Sequence, residues 1–239
     1  MQELEWQTGE ISFSVQGKPF VLKISVPVQE VTAEVMLPVF QQMANEFTDL
    51  AVASMDKHLS VSCKKGCGAC CCQPVPLAEI EVYHIARLVS NLPESRRTQI
   101  EEAFKAGAAH FEGMGWFDRL AKCEEESTLH AAILDYFFQS IPCPFLTEGS
   151  CSIYEDRPIA CREYLVTSDY RNCSEPYADK VLPIPLPINV SDGIRNISRG
   201  TNLPVKNFIP FIQALELAAK FPEKEVRKTG EEWLSEFFS

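Results

Sequence analysis

Five cysteines fall within ten residues of this chain, in the run Cys63-Lys-Lys-Gly-Cys67-Gly-Ala-Cys70-Cys71-Cys72. No amphipathic period runs through them, so the stretch reads as a loop. Gly66 and Gly68 permit the positive φ that a tight loop needs, and they free backbone N–H groups to point at sulfur. Four more cysteines, Cys143, Cys151, Cys161 and Cys173, lie in a second irregular region at 142–175, and Cys123 stands alone. What these sulfurs hold constrains the fold more than any other feature of the chain.

Ten cysteines in 239 residues is below the ~8–10% density of a small disulfide scaffold. The opening MQELEWQTGE has no basic region, apolar stretch or small-residue cleavage site. The expectation is a cytoplasmic, reducing setting, where clustered thiols point to metal more often than to disulfides. Cys123 reads as a small buried hydrophobe. With 22 Lys+Arg against 33 Asp+Glu, the formal charge is -11, which argues against nucleic-acid or anionic-membrane binding. No apolar run approaches the ~18 residues of a membrane span. A protein partner is left open.

The chain opens with two alternating runs, Ile11-Phe13-Val15 and Phe20-Leu22-Ile24-Val26, joined at Gly17-Lys18. They read as a β-hairpin. From Thr32 to His58 the composition is helical, with Pro38 near the start or bending the helix. Further helices are expected from about Leu77, with Ile85, Leu88, Val89 and Leu92 on one face, and from Glu94. The latter is interrupted or ended by Gly113-Met114-Gly115. Another runs from Ser127 to before Pro142. The Pro-rich segment 182–188 reads as extended. Two helices are expected to close the chain, one carrying Phe208, Ile212, Leu215 and Ala219, the other starting after Pro222 with Val226, Trp233, Leu234 and Phe237. The fold class expected is mainly α: a single helical domain with an N-terminal β-hairpin and two cysteine-rich metal-binding loops. Residues 1–30 form the hairpin extension and 31–239 the helical cysteine-cluster domain, with its motif core at 63–175.

Cysteines two or three residues apart can turn their sulfurs to one point, but neighbours in an extended stretch project to opposite sides. Cys70, Cys71 and Cys72 are therefore not expected to bind one ion together. Either some are spectators or neighbours serve two sites. Four thiolates complete a Zn²⁺ site or hold one iron–sulfur cube. Neither loop supplies four convergent sulfurs comfortably, so the second loop is expected to complete the site. Such a centre carries about -2 charge, so the cations Lys64, Lys65, Arg157, Arg162 and Arg171 are candidates to offset it. Asp156-Arg157-Pro158 reads as a helix start, which places Cys161 near a helix N-terminus, where thiolate is favoured. His58, His84, His110 and His130 are scattered and read as surface or core imidazoles. Only His58 lies near the cluster.

Several elements together, Cys63-x3-Cys67-Gly-Ala-Cys70-Cys71, Cys143-Pro-Phe-Leu, Gly149-Ser-Cys151-Ser-Ile-Tyr154 and Arg157-Pro158-x-x-Cys161-Arg162, resemble the YkgJ-type cysteine-cluster proteins, a zinc- or iron-chelating family with a CxxCxxCC-like signature. The resemblance covers about residues 63–175. It implies eight metal-ligating cysteines: Cys63, Cys67, Cys70, Cys71, Cys143, Cys151, Cys161 and Cys173. Tyr154, Arg157 and Arg162, within the same motifs, are candidate cofactor-binding residues. Cys72 departs from the pattern and Cys123 lies outside it. A flagellin lysine N-methylase that resembles this pattern uses an iron–sulfur cluster with S-adenosylmethionine.

The reading that follows is a metal-binding protein holding a 4Fe–4S centre ligated from both loops. The alternatives are a structural zinc protein and an S-adenosylmethionine-dependent methyltransferase-like enzyme. Zinc ribbons pair C-x2-C knuckles, and here only Cys67-x2-Cys70 fits, which favours iron. Cys63-x3-Cys67-x2-Cys70 also matches the spacing of radical S-adenosylmethionine enzymes. The helices after Cys72 do not suit their β/α barrel, and Ala69 stands where those enzymes usually have an aromatic residue. Thiol redox chemistry and metal storage or delivery are weaker alternatives. No other nucleophile or acid–base pair is legible, so no catalytic residue is assigned.

Overall fold

The computed structural model describes residues 3–15, 18–175, 180–197, 203 and 208–239. Strands β1 (Trp6–Val15) and β2 (Lys18–Pro27) pair antiparallel in the register Trp6↔Pro27 to Val15↔Lys18. Of the expected Gly17-Lys18 turn, Gly17 lies outside the described residues, and Lys18 is instead the first residue of β2. An isolated two-stranded hairpin is marginal in water, and this one is held by its inner face. Leu22, Ile24 and Val26 are buried, and Phe13 meets Phe47 edge-on at 5.3 Å. Each fully buried aliphatic side chain contributes about 1.5–3 kcal/mol.

Strand β3 (Val31–Thr32) leads into helix α1 (Ala33–Ser54). Pro38 sits in the sixth position of α1 without ending it. Met36, Leu37, Phe40, Met43, Ala44 and Phe47 make its buried stripe, at the i, i+3, i+4 spacing of a helix facing a core. After the first cysteine loop come β4 (Pro76–Leu77) and the helices α2 (Glu79–Ser90), α3 (Glu94–Gly113), α4 (Trp116–Lys122) and α5 (Glu126–Phe138). Gly115, at φ +62, turns the chain between α3 and α4.

The second cysteine region contains β5 (Leu146–Thr147), β6 (Ser150–Cys151), a 3-10 turn at Tyr154–Asp156, helix α6 (Ile159–Glu163) and another 3-10 turn at Tyr170–Ser174. The Pro-rich segment is extended as expected. Ile184 donates to Leu165 at 2.8 Å and Thr167 to Leu182 at 3.0 Å, so it runs alongside 165–167. Helix α7 (Val190–Ile197) follows it.

The C-terminal part differs from the periodicity reading. Phe208 and Ile212 do not share one helix with Ala219. Strand β7 (Ile209–Pro210) pairs with β4, a 3-10 turn spans Phe211–Gln213, and only Ala214–Lys220 forms helix α8. Val226 lies outside the last helix. Strand β8 (Arg227–Lys228) pairs with β3, and α9 (Gly230–Phe237) begins at a Thr229–Glu232 capping box. The Thr229 hydroxyl accepts from the Glu232 amide at 3.2 Å, and that cap sets the start.

Two hydrophobic clusters organise these elements. One gathers the hairpin, α1, α7 and α9, with Ile159 of α6 fully buried in it. The other gathers α2 to α5 with Phe145, Ile153, Phe211 and Leu217. Helix α2 serves both, with Ile80 in the first and Val82, Ile85 and Val89 in the second. Cys143 and Cys151 pack on the second cluster, whereas Cys161 rides on the helix anchored in the first. The cysteine loops therefore meet at the seam between the two cores. The architecture is mainly α, with one small N-terminal strand pair and several two-residue strand pairs.

Candidate metal centre

The first loop is built from turns. Cys67 N–H donates to Lys64 at 3.0 Å, Cys71 to Gly68 at 3.0 Å and Gln73 to Cys70 at 3.2 Å. Gly66 takes φ +87, a conformation that only glycine adopts readily. Turns at 69–72 replace the extended backbone. The strict alternation of an extended stretch therefore does not apply to these adjacent cysteines.

In the second loop, Leu146 donates to Cys143 at 2.9 Å and Ser152 to Phe145 at 2.9 Å. Glu148 and Gly149 turn the β5–β6 hairpin at positive φ. Cys161 is the third residue of α6, as the Pro158 signal implies, and Cys173 sits in the second 3-10 turn.

The two loops are in direct contact. Cys143 N–H donates to the Cys71 carbonyl at 2.7 Å. Gly68 lies so close to the β5–β6 turn that a Cβ there would stand 2.7 Å from Leu146 Cδ1 and 3.2 Å from the Gly149 carbonyl. The other end of the first loop docks elsewhere. Ser62 donates through its amide to Val166 at 3.0 Å and through its hydroxyl to Ser168 at 2.5 Å, and Lys64 Nζ lies 5.1 Å from the Tyr170 ring centre.

Burial makes several of these thiols resist ionisation. Burial, then the neighbouring sulfurs Cys143, Cys70 and Cys151, pushes Cys161 far up. Its position near a helix start does not offset this. Burial likewise pushes Cys143 up to about 12 and Cys173 to about 11, and raises Cys63 and Cys151. Cys71 is raised chiefly by its hydrogen bond to Cys70, which is lowered by the same bond. Arg157 works in the opposite sense, favouring the thiolates of Cys63, Cys70 and Cys151. Crowded soft donors that repel one another when charged suit a thiophilic cation, which removes that repulsion. Among the described residues, no group of three or more Cys, His, Asp or Glu side chains is already arranged to hold an ion. The backbone brings the loops together.

The remaining candidates divide. Arg157 lies over the Tyr154 ring at 4.1 Å from its centre, and its Nε is buried without a hydrogen-bond partner. Arg162 is buried, its guanidinium donating to the backbone carbonyls of Glu155 and Arg157, so it shapes the loop around Tyr154. Arg171 is exposed and paired with Asp169. His58 is exposed, its amide donating to Asp56 at 2.9 Å. Cys123 is buried at the end of α4, its thiol donating to Arg119 at 3.2 Å.

Two buried carboxylates escape a linear reading. Glu81 of α2 accepts from Ala78 N–H at 2.9 Å and from Ile159 N–H, the first residue of α6, at 2.8 Å. Glu163, at the end of α6, accepts from Val190 at 2.5 Å and Ser191 at 3.2 Å, holding the start of α7. The glutamate at the first turn of α2 is a legible helix signal, but nothing local pairs it with a residue 78 positions away.

Residues 62–178, just under half of the chain, match a family model described as "CxxCxxCC: Putative zinc- or iron-chelating domain". No curated protein and no solved structure matches the chain.

Proposed function

We propose that this chain, which carries a CxxCxxCC domain across residues 62–178, holds an iron–sulfur centre, a 4Fe–4S cube, between its two cysteine loops. The observation that carries this reading is the Cys143-to-Cys71 main-chain hydrogen bond at 2.7 Å. It joins the loops at the cysteines themselves, so one inorganic centre can draw ligands from both. Metal chelation is the description of the matched domain. Iron is favoured over zinc by the second loop, whose spacing lacks the paired C-x2-C knuckles of zinc ribbons.

Cys63, Cys67, Cys70, Cys71, Cys143, Cys151, Cys161 and Cys173 are the ligand pool. Arg157, lying where it stabilises three of these thiolates, offsets the negative charge of the loaded centre, with Tyr154 stacked against it. Arg162 holds the backbone of that loop in place. When bound, such a centre supplies one-electron redox capacity or an anchoring point for a small ligand, at a potential set by charge and hydrogen bonds to sulfur.

The test is anaerobic purification with iron, zinc and acid-labile sulfide analysis. A brown protein absorbing near ~400 nm and containing iron and sulfide in equal amounts supports the reading. A colourless protein with stoichiometric zinc overturns it in favour of structural zinc. Cys67→Ser and Cys161→Ser each lower metal content, and Cys123→Ala, outside the loops, leaves it unchanged.

A further inference from the structure

We infer that two copies of this chain associate through β1, their strands pairing antiparallel about a two-fold axis at Ile11 to make one four-stranded sheet. The inference is independent of the metal centre.

The outer edge of β1 is open. Val28 donates to Glu5 at 2.9 Å, and in the continuous register that follows, the odd-numbered residues of β1 bond to β2. The even-numbered ones, Trp6, Thr8, Glu10, Ser12 and Ser14, turn their N–H and C=O groups away from β2, and among the described residues no further strand meets them. All five are exposed. Such an edge is a template for another strand unless it is short, bulged, broken by proline or charged. Strand β1 is ten residues long, in unbroken register and without proline, and its one charged residue, Glu10, is paired with Lys23 of β2.

The strand that fits this edge is β1 itself. In a pairing centred on Ile11, residues 7–15 of one copy lie against 15–7 of the other. Ile11 faces Ile11 and Phe13 faces Gly9, in the non-hydrogen-bonded pairs where side chains approach most closely. The space beside Gly9 is vacant: a Cβ there would meet nothing within 4 Å. Phe13 of the second copy has room to cover it, as aromatic side chains do for glycines at strand edges. Ile11 and Phe13 lie on the core side of the sheet, opposite Leu22 and Phe20, yet both are only half-buried. The added strand extends their burial. On the outer side Glu10 faces Ser12, and Thr8 faces Ser14. Moving the axis to Glu10 would set two glutamates face to face, which is destabilising, and moving it to Gly9 would set Phe13 against the exposed Glu5.

The experiment is sedimentation velocity on the purified full chain, kept reduced so that its thiols do not cross-link copies. A concentration-dependent dimer is expected. Ser12→Glu places a glutamate opposite Glu10 at both symmetric positions and should weaken the dimer on the order of tenfold, whereas Ser12→Lys should tighten it. Ser12 is exposed in the single copy, so neither change threatens the fold. Gly9→Val fills the slot meant for Phe13 of the second copy. It should also weaken the dimer, with helical content intact, because the new side chain meets nothing within one copy. A wild type that stays monomeric up to about 100 μM overturns the proposal. So does a dimer that all three variants leave unchanged, or one that Ser12→Glu and Ser12→Lys weaken alike, since either result places the contact elsewhere on the molecule.

Discussion

Glu81 and Ile159 are joined by a hydrogen bond of 2.8 Å, from the first amide of α6 to a carboxylate on α2. The other Glu81 oxygen accepts the Ala78 amide, so one fully buried side chain holds the starts of two helices, and the second of these carries Cys161. Glu81→Ala leaves two interior amides without an acceptor, and we expect a loss of about 2–4 kcal/mol. Urea unfolding monitored by circular dichroism measures it.

The same carboxyl imposes a pH dependence. Burial pushes Glu81 up from 4.5 to about 7, despite the two amides that favour its ionised form. In the unfolded chain it ionises first, while the native state keeps its proton. Stability should therefore fall as pH rises from 4.5 to 7, by up to about 3 kcal/mol, and level off above that. Urea midpoints across this range should show the fall in wild type and a flatter profile in Glu81→Gln. Parallel profiles would refute the assignment.

Gly68 is the point of closest approach between the loops. A Cβ there meets Leu146 Cδ1, which can rotate away, and the Gly149 carbonyl, which cannot. Gly68→Ala should cost about 1–3 kcal/mol and lower metal content. Gly113→Ala, with nothing within 4 Å of the new Cβ, is the control and should leave metal content at the wild-type level.

Arg157 is the cation that eases ionisation of Cys63, Cys70 and Cys151. Metal uptake by thiols releases protons, so Arg157→Gln should move its pH midpoint upward. Metal affinity should drop on the order of tenfold, as for other residues that support a ligand shell. A competition titration with a chromophoric chelator at several pH values reads both effects. An unchanged midpoint would place the Arg157 charge outside the site's influence.

No helix among the described residues is long and apolar enough to cross a membrane, as expected from the absence of long apolar runs. The hairpin, though not its full length, the long helices α1, α2, α3 and α5 and the helix start at Pro158 were all legible in the chain. Each depends on local spacing: alternation in β1 and β2, a 3.6-residue stripe in the helices, a proline in the first turn. The short elements were not. Helices α4 and α7 and the two-residue strand pairs β3–β8 and β4–β7 have too few residues to show a period. The strand pairs exist because distant segments supply their hydrogen bonds, and Glu163 holds the start of α7 from outside the helix.

By itself the order of residues determined that this is a mainly α chain with thiols gathered in two irregular segments, because cysteine density, glycine placement and helical period are properties of neighbours in sequence. Only the tertiary structure decided that Cys71 abuts Cys143, that Ser62 docks beside Val166, and that Glu81 secures the helix bearing Cys161. Those contacts span from about seventy to more than one hundred positions. They form where two hydrophobic cores meet, since burying the apolar faces of α2 and α6 brings the loops that lead into these helices into contact.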